Sequence, residues 1–191
     1  MPLIFITGGV RSGKSHFAEK EAVLRYQLNN IKDKRLVYIA SGVAMDAEME
    51  QRIAMHKADR QKQAIAWHTV EAPYQIHDAF KKVKNGDVVL WDCMTTWLTN
   101  AFYEGFEEGT PCVEIPGCLE QKLQMMKSSV QTLLNKKVTL FVVSNELFDE
   151  PPYNNGEVEL YRQLLGQLHQ WFVSVANEAY EINYGIVKKW K

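Results

Sequence analysis

Short apolar runs alternate along the chain with longer stretches whose apolar positions recur every three or four residues. Residues 3–7 read as a buried strand stopped by Gly8-Gly9, and residues 15–26 as a helix with Phe17, Ala18, Ala22, Val23 and Tyr26 on one face. A second strand over 36–40 is stopped by Ser41-Gly42, and a polar helix over 46–61 aligns Met45, Met49, Ile53 and His56 along one side. A weaker extended stretch covers 67–70, and a helix over 74–84 is broken by Asn85-Gly86. Further strands are expected over 88–91 and 138–143, the latter rich in β-branched residues, with a helix over 122–134 between them. A long helix over 157–177 and a terminal strand over 180–187 complete the series. Such alternation predicts an α/β fold with a mostly parallel sheet and helices on both faces. The stretches 105–117 and 148–156 carry Gly, Pro and acidic residues and read as exposed loops of a length often used for function.

Composition narrows this frame. Hydrophobic residues at 46% and charged residues at 24% are ordinary for a globular protein. A formal net charge of -1 supplies no global field toward nucleic acid or an anionic membrane, so neither is expected as a partner. The opening Met-Pro-Leu-Ile-Phe-Ile-Thr lacks the pattern of a signal peptide, and no apolar run reaches the roughly 18 residues of a membrane span. Cys93, Cys112 and Cys118 form an odd set without CxxC spacing, which favours reduced thiols in a cytoplasmic chain.

The chemistry begins at the first strand–helix junction. Gly8, Gly9, Val10, Arg11, Ser12, Gly13, Lys14 and Ser15 match GxxxxGK[ST] between an apolar strand and a helix, the context a phosphate-binding P-loop requires. The glycines let successive backbone N–H groups turn inward on phosphate oxygens, and the helix adds its positive end. Lys14 is placed for the β- and γ-phosphates and Ser15 for Mg²⁺. With no repeat or linker in view, residues 1–191 are expected to form a single P-loop nucleotide-binding domain.

An apolar run closing on Asp92 supplies a carboxylate at the edge of the sheet where ligands bind, for nucleotide or metal contact. The same residue is also a possible helix N-cap. Asn145-Glu146 occupies the corresponding place after the later strand. His56 is followed by Lys57 and Arg60, with Arg52 one helical turn before it, and cations three or four residues apart share a helix face, suited to a triphosphate beside a nucleophilic imidazole. Taken alone, its alignment with Met45, Met49 and Ile53 favours half-buried helix surface. His16, His68, His77 and His169 have no ligand spacing and read as structural or surface residues.

These blocks together resemble a known family. Thr7-Gly8-Gly9-Val10-Arg11-Ser12-Gly13-Lys14-Ser15 with Ala18-Glu19 is similar to the opening of bifunctional adenosylcobinamide kinase / adenosylcobinamide-phosphate guanylyltransferases. The likeness continues through Tyr38-Ile39-Ala40, Arg52-Ile53-Ala54-Met55-His56-Lys57, Trp67-His68-Thr69-Val70-Glu71-Ala72-Pro73, Asp92-Cys93-Met94-Thr95-Thr96-Trp97-Leu98-Thr99-Asn100 and Val142-Val143-Ser144-Asn145-Glu146. The resemblance implies a RecA-like P-loop fold and a two-step transferase of cobalamin biosynthesis using ATP and GTP. The first step phosphorylates adenosylcobinamide; the second passes GMP from GTP to that phosphate through a guanylylated histidine. It assigns that histidine to His56, places Ser41, Gly42, Val43, Lys57, Ala58, Asp59, Arg60, Glu71 and Asp92 around the guanine nucleotide, and implies a homotrimer.

The likeness weakens after Glu146. A Gly-rich turn usual in the family is replaced by Leu147-Phe148-Asp149-Glu150-Pro151-Pro152-Tyr153-Asn154-Asn155, and His169 stands where the family usually has Asn. A P-loop kinase of another small hydroxylated substrate, and a GTP-binding paralogue without turnover, are the competing readings.

Overall fold

The computed structural model describes residues 2–42, 51, 54, 55, 58, 60, 65–148 and 155–191. The described strands are β1 (Leu3–Gly8), β2 (Leu36–Ala40), β3 (Trp67–Glu71), β4 (Val88–Asp92), β5 (Thr139–Asn145), β6 (Glu178–Asn183) and β7 (Ile186–Lys189). The helices are α1 (Lys14–Leu28), α2 (Ile76–Lys81), α3 (Met94–Tyr103), α4 (Cys118–Leu134) and α5 (Gly156–Val175). The strands form one sheet in the order β3-β2-β4-β5-β1-β6-β7. All neighbours run parallel except β6 and β7, so the mostly parallel α/β arrangement expected from the alternation is found.

Alternation along each strand divides the core between two faces. Ile4, Ile6, Tyr38, Leu90 and Val143 pack with Ala18 and Ala22 of α1. Leu3, Phe5, Val89, Trp91 and Val142 face α2, α3, α4 and α5 through Phe80, Trp97, Met126 and Phe172. Strands buried on both sides explain why the central runs are almost continuously apolar.

Four expectations need correction. The predicted terminal strand over 180–187 is a hairpin, because Tyr184 and Gly185 both take positive φ (52° and 77°), as the two-residue turn that matches strand twist requires. The stretch 105–117 is more ordered than an exposed loop: Cys112–Glu114 form a 3-10 turn, Cys112 is buried, and Cys112 is disulfide-bonded to Cys118. The expectation of three reduced cysteines therefore fails for that pair, whose Cα atoms Gly117 (φ 78°) brings to 5.5 Å, and Cys93 alone is free. Asp92 does not cap α3; Cys93 does, its Sγ accepting from Thr96 N at 3.5 Å.

Of the helix expected over 46–61, the described positions Gln51, Ala54, Met55, Ala58 and Arg60 are helical. Val43, His56, Lys57 and Asp59 lie outside the described residues, as does most of the expected loop over 148–156.

Candidate active site

The strand order reverses direction of growth around β1, and the carboxyl ends of β1, β5 and β4 lie side by side. Gly8 pairs with Asn145, and Asp92 with Val143. One strand thus separates the loop after β1 from the carboxylate ending β4, which is the crevice geometry used by open parallel sheets to bind nucleotides.

Gly8 is required at the floor of the loop. A Cβ there would meet Ile182 O at 2.2 Å, because β6 passes directly beside it. Gly13 holds φ 93° at the N-cap of α1 and offers no side-chain cap, and no acidic residue sits in the first turn. The start of α1 therefore has no side-chain cap, and the positive helix end favours an anion. Lys14 is only 6% exposed and donates to Gly9 O at 3.0 Å, folded over the loop it belongs to. Ser12 is 8% exposed, and its hydroxyl has no partner among the described residues. A buried unpaired hydroxyl is costly, which suits a loop built to meet a ligand. The β6–β7 turn braces this loop through Gly185 N donating to Ser12 O at 3.0 Å.

On the same face of the sheet, Asp92 Oδ2 accepts from the Tyr38 hydroxyl at 3.0 Å. Burial, and then the Asp92 carboxylate, raise the Tyr38 hydroxyl well above its ordinary value, so it stays a donor. Arg60 lies 3.7 Å above the Tyr38 ring and pairs with Glu19 of α1 at 3.3 Å. Arg60 is 5% exposed, so this guanidinium is a buried tie between its own helix, β2 and α1. Tyr38 and Glu19 were not singled out by chemistry in the sequence; each appears only inside a block of resemblance. Ser41 is fully buried with its hydroxyl accepting from Trp91 Nε1 at 2.7 Å, so its side chain serves the core. Gly42 follows it at the same edge, and Glu71 closes the edge strand β3, opposite Ala40.

Ser15 and Asp92 are hard oxygen donors of the kind Mg²⁺ takes one or two at a time, completing its shell with phosphates and water. The site residues thus fit Mg²⁺ held jointly with a nucleotide.

Across the sheet from α1, a second polar group closes the same edge. Ser144 is fully buried between Thr95 Oγ1 at 2.8 Å and His169 Nε2 at 2.7 Å, and Asn145 N donates to Thr95 Oγ1 at 2.6 Å. Burial lowers His169 to about 4, so the ring is neutral.

No helix among the described residues is long and apolar enough to cross a membrane. The family model described as cobinamide kinase / cobinamide phosphate guanyltransferase (CobU) matches residues 4–189. The bifunctional adenosylcobalamin biosynthesis protein CobU of Escherichia coli (strain K12) is 27% identical over 191 residues, covering 99% of each chain. The protein of the same name from Salmonella typhimurium is 27% identical over 195 residues, again covering 99% of each. The bifunctional adenosylcobalamin biosynthesis protein CobP of Pseudomonas aeruginosa is 38% identical over 96 residues, half of each chain. With the match running from β1 through β7, the chain belongs to the cobinamide kinase / cobinamide phosphate guanyltransferase family.

Proposed function

We propose that this protein phosphorylates the aminopropanol hydroxyl of adenosylcobinamide and then transfers GMP from GTP to that phosphate, giving adenosylcobinamide-GDP and pyrophosphate. The observation that carries the reading is the cradle over Gly8 to Ser15, with an uncapped helix end, a buried Lys14 and an unpaired Ser12 hydroxyl, in a chain that the family covers from residue 4 to 189.

In the first step the acceptor hydroxyl oxygen forms a bond to the γ-phosphorus of ATP or GTP, the bridging bond to the β-phosphate breaks, and the diphosphate leaves. Gly9, Val10, Arg11 and Gly13 offer backbone N–H groups to the phosphates, Ser12 N closes the loop on Gly9 O at 3.2 Å and leaves its hydroxyl for the ligand, and Lys14 swings from Gly9 O to the β- and γ-oxygens. Ser15 and Asp92 would hold Mg²⁺, which offsets phosphate charge when bound. Tyr38 keeps the Asp92 carboxylate in place.

In the second step the neutral imidazole of His56 attacks the α-phosphorus of GTP, pyrophosphate leaves, and the phosphate on the corrinoid displaces the histidine. His56, Lys57, Ala58, Asp59 and Arg60, with Ser41, Gly42, Val43 and Glu71, make up the guanine-nucleotide side of the site. The Arg60 tie to Glu19 and Tyr38 supports a helix docked beside α1. We further propose one catalytic domain over 1–191, a homotrimer, and a cytoplasmic location.

The test is incubation with α-labelled GTP. Wild type should carry an acid-labile label that His56→Ala lacks; a His56→Ala protein labelled like wild type would refute the histidine intermediate.

A further inference from the structure

The Thr95–Ser144–His169 chain lies outside the roles given above, and it does more than fill space. Thr95 belongs to the first turn of α3, directly after the carboxylate of β4; Ser144 is near the end of β5; His169 comes from α5. Thr95 Oγ1 accepts from Asn145 N, so its proton is available to Ser144 Oγ, and the Ser144 proton to His169 Nε2. Each hydroxyl is then both donor and acceptor, and the ring is held edge-on by Phe5 (5.1 Å) and Phe148 (5.4 Å). The beneficiary is the backbone at Asn145 and Glu146. Its next N–H, that of Glu146, donates to Gly8 O at 3.0 Å, the first residue of the phosphate cradle.

This turn sits at the carboxyl end of β5, between the strand that ends in Gly8 and the strand that ends in Asp92. A γ-phosphoryl group held by the cradle is flanked by it. Asn145 and Glu146 are both half-exposed there, next to the cradle. The phosphate-binding side chains Lys14 and Ser15 lie on α1, on the other face of the sheet, and are not bonded to this chain.

We infer that His169 is a positioning residue for phosphoryl transfer, acting through Ser144 and Thr95 to lock the Asn145–Glu146 turn against the cradle. The inference rests on the kinase half of the proposed function. A shift of the turn misplaces the acceptor relative to the γ-phosphorus while leaving nucleotide binding intact, and an error near 1 Å is worth roughly 100-fold in rate.

The experiment compares wild type, His169→Leu, His169→Gln and Ser144→Ala with cobinamide as acceptor, reading kcat for phosphorylation and the Kd of GTP by titration. Gln places a carboxamide atom where Nε2 lies and keeps the bond to Ser144. The expected result is a fall in kcat of roughly 10- to 100-fold for His169→Leu and Ser144→Ala. GTP Kd should stay within about 2-fold, and His169→Gln should recover to within about 5-fold of wild type. Should His169→Leu fail to fold, Ser144→Ala and His169→Gln carry the same contrast. Unchanged kcat in Ser144→Ala, or equal losses of kcat and GTP affinity across the variants including His169→Gln, would overturn the inference. Wild type that binds GTP but leaves cobinamide unphosphorylated would instead refute the kinase reading beneath it.

Discussion

The two edges of the one parallel sheet are built on opposite terms. At the amino edge, Asp87 is fully buried and accepts from Arg35 N at 2.9 Å, Arg35 Nη2 at 2.6 Å and Lys84 N at 2.9 Å. Asn29 donates to Gly86 O at 3.0 Å while accepting from Ile31 N at 3.0 Å, and Asn177 Oδ1 accepts from Leu3 N at 2.9 Å. Polar groups there are answered by the protein itself. At the carboxyl edge the α1 side is left open: the helix end lacks a side-chain cap, and the buried hydroxyls of Ser12 and Thr7 have no partner among the described residues. One edge stores stability, and the other keeps polar groups unanswered by the described residues, as the proposed phosphate site requires.

The largest expected effect lies at the amino edge. Asp87→Ala removes the carboxylate partner of Arg35, whose guanidinium keeps only Lys82 O among the described residues, and leaves two backbone donors unpaired; it should cost about 3 kcal/mol in urea denaturation without altering the GTP affinity of the folded fraction. A variant that instead kept its stability and lost GTP binding would erase the distinction between edges. Next comes Lys14→Ala, which should lower turnover at least about 100-fold while the unfolding free energy shifts by under about 1 kcal/mol.

The third effect is one of pH. His169 titrates near 4 in the fold against 6.5 when exposed, so between those values the unfolded chain binds more protons. Stability contributed by the neutral ring is complete above 6.5 and drains as pH falls toward 4. The loss should be about 2 kcal/mol after allowing for partial exposure, and His169→Leu should flatten that part of the stability–pH curve. Smallest is Ser12→Ala: removing an unpaired hydroxyl should leave apo stability within about 1 kcal/mol, and weaken GTP binding by roughly 3- to 10-fold in titration.

What could be read from the residues follows from how locally each feature is encoded. The cradle is contiguous, so Gly8 to Ser15 declare their own geometry, with left-handed Gly13 opening α1. The central strands were equally plain, because burial on both faces leaves runs such as Val88-Val89-Leu90-Trp91. Asp92 was legible as the acid closing such a run, but its partner Tyr38 lies 54 residues away and reads as ordinary strand. The Arg60–Glu19 pair and the Thr95–Ser144–His169 chain are likewise products of packing between distant segments. His169 read as structural because a lone histidine carries no spacing signal. The hairpin was missed although Tyr184-Gly185 follows Asn183, since the flanking apolar run masked a turn set by backbone conformation alone.

The most direct test follows the corrinoid itself. Adenosylcobinamide incubated with the protein, GTP and Mg²⁺, then resolved by mass spectrometry, should appear first as the phosphate and then as the GDP derivative. Lys14→Ala should leave it unmodified. Nucleotide consumed with the corrinoid unchanged would contradict the assignment of this carboxyl edge to cobinamide phosphorylation and guanylyl transfer.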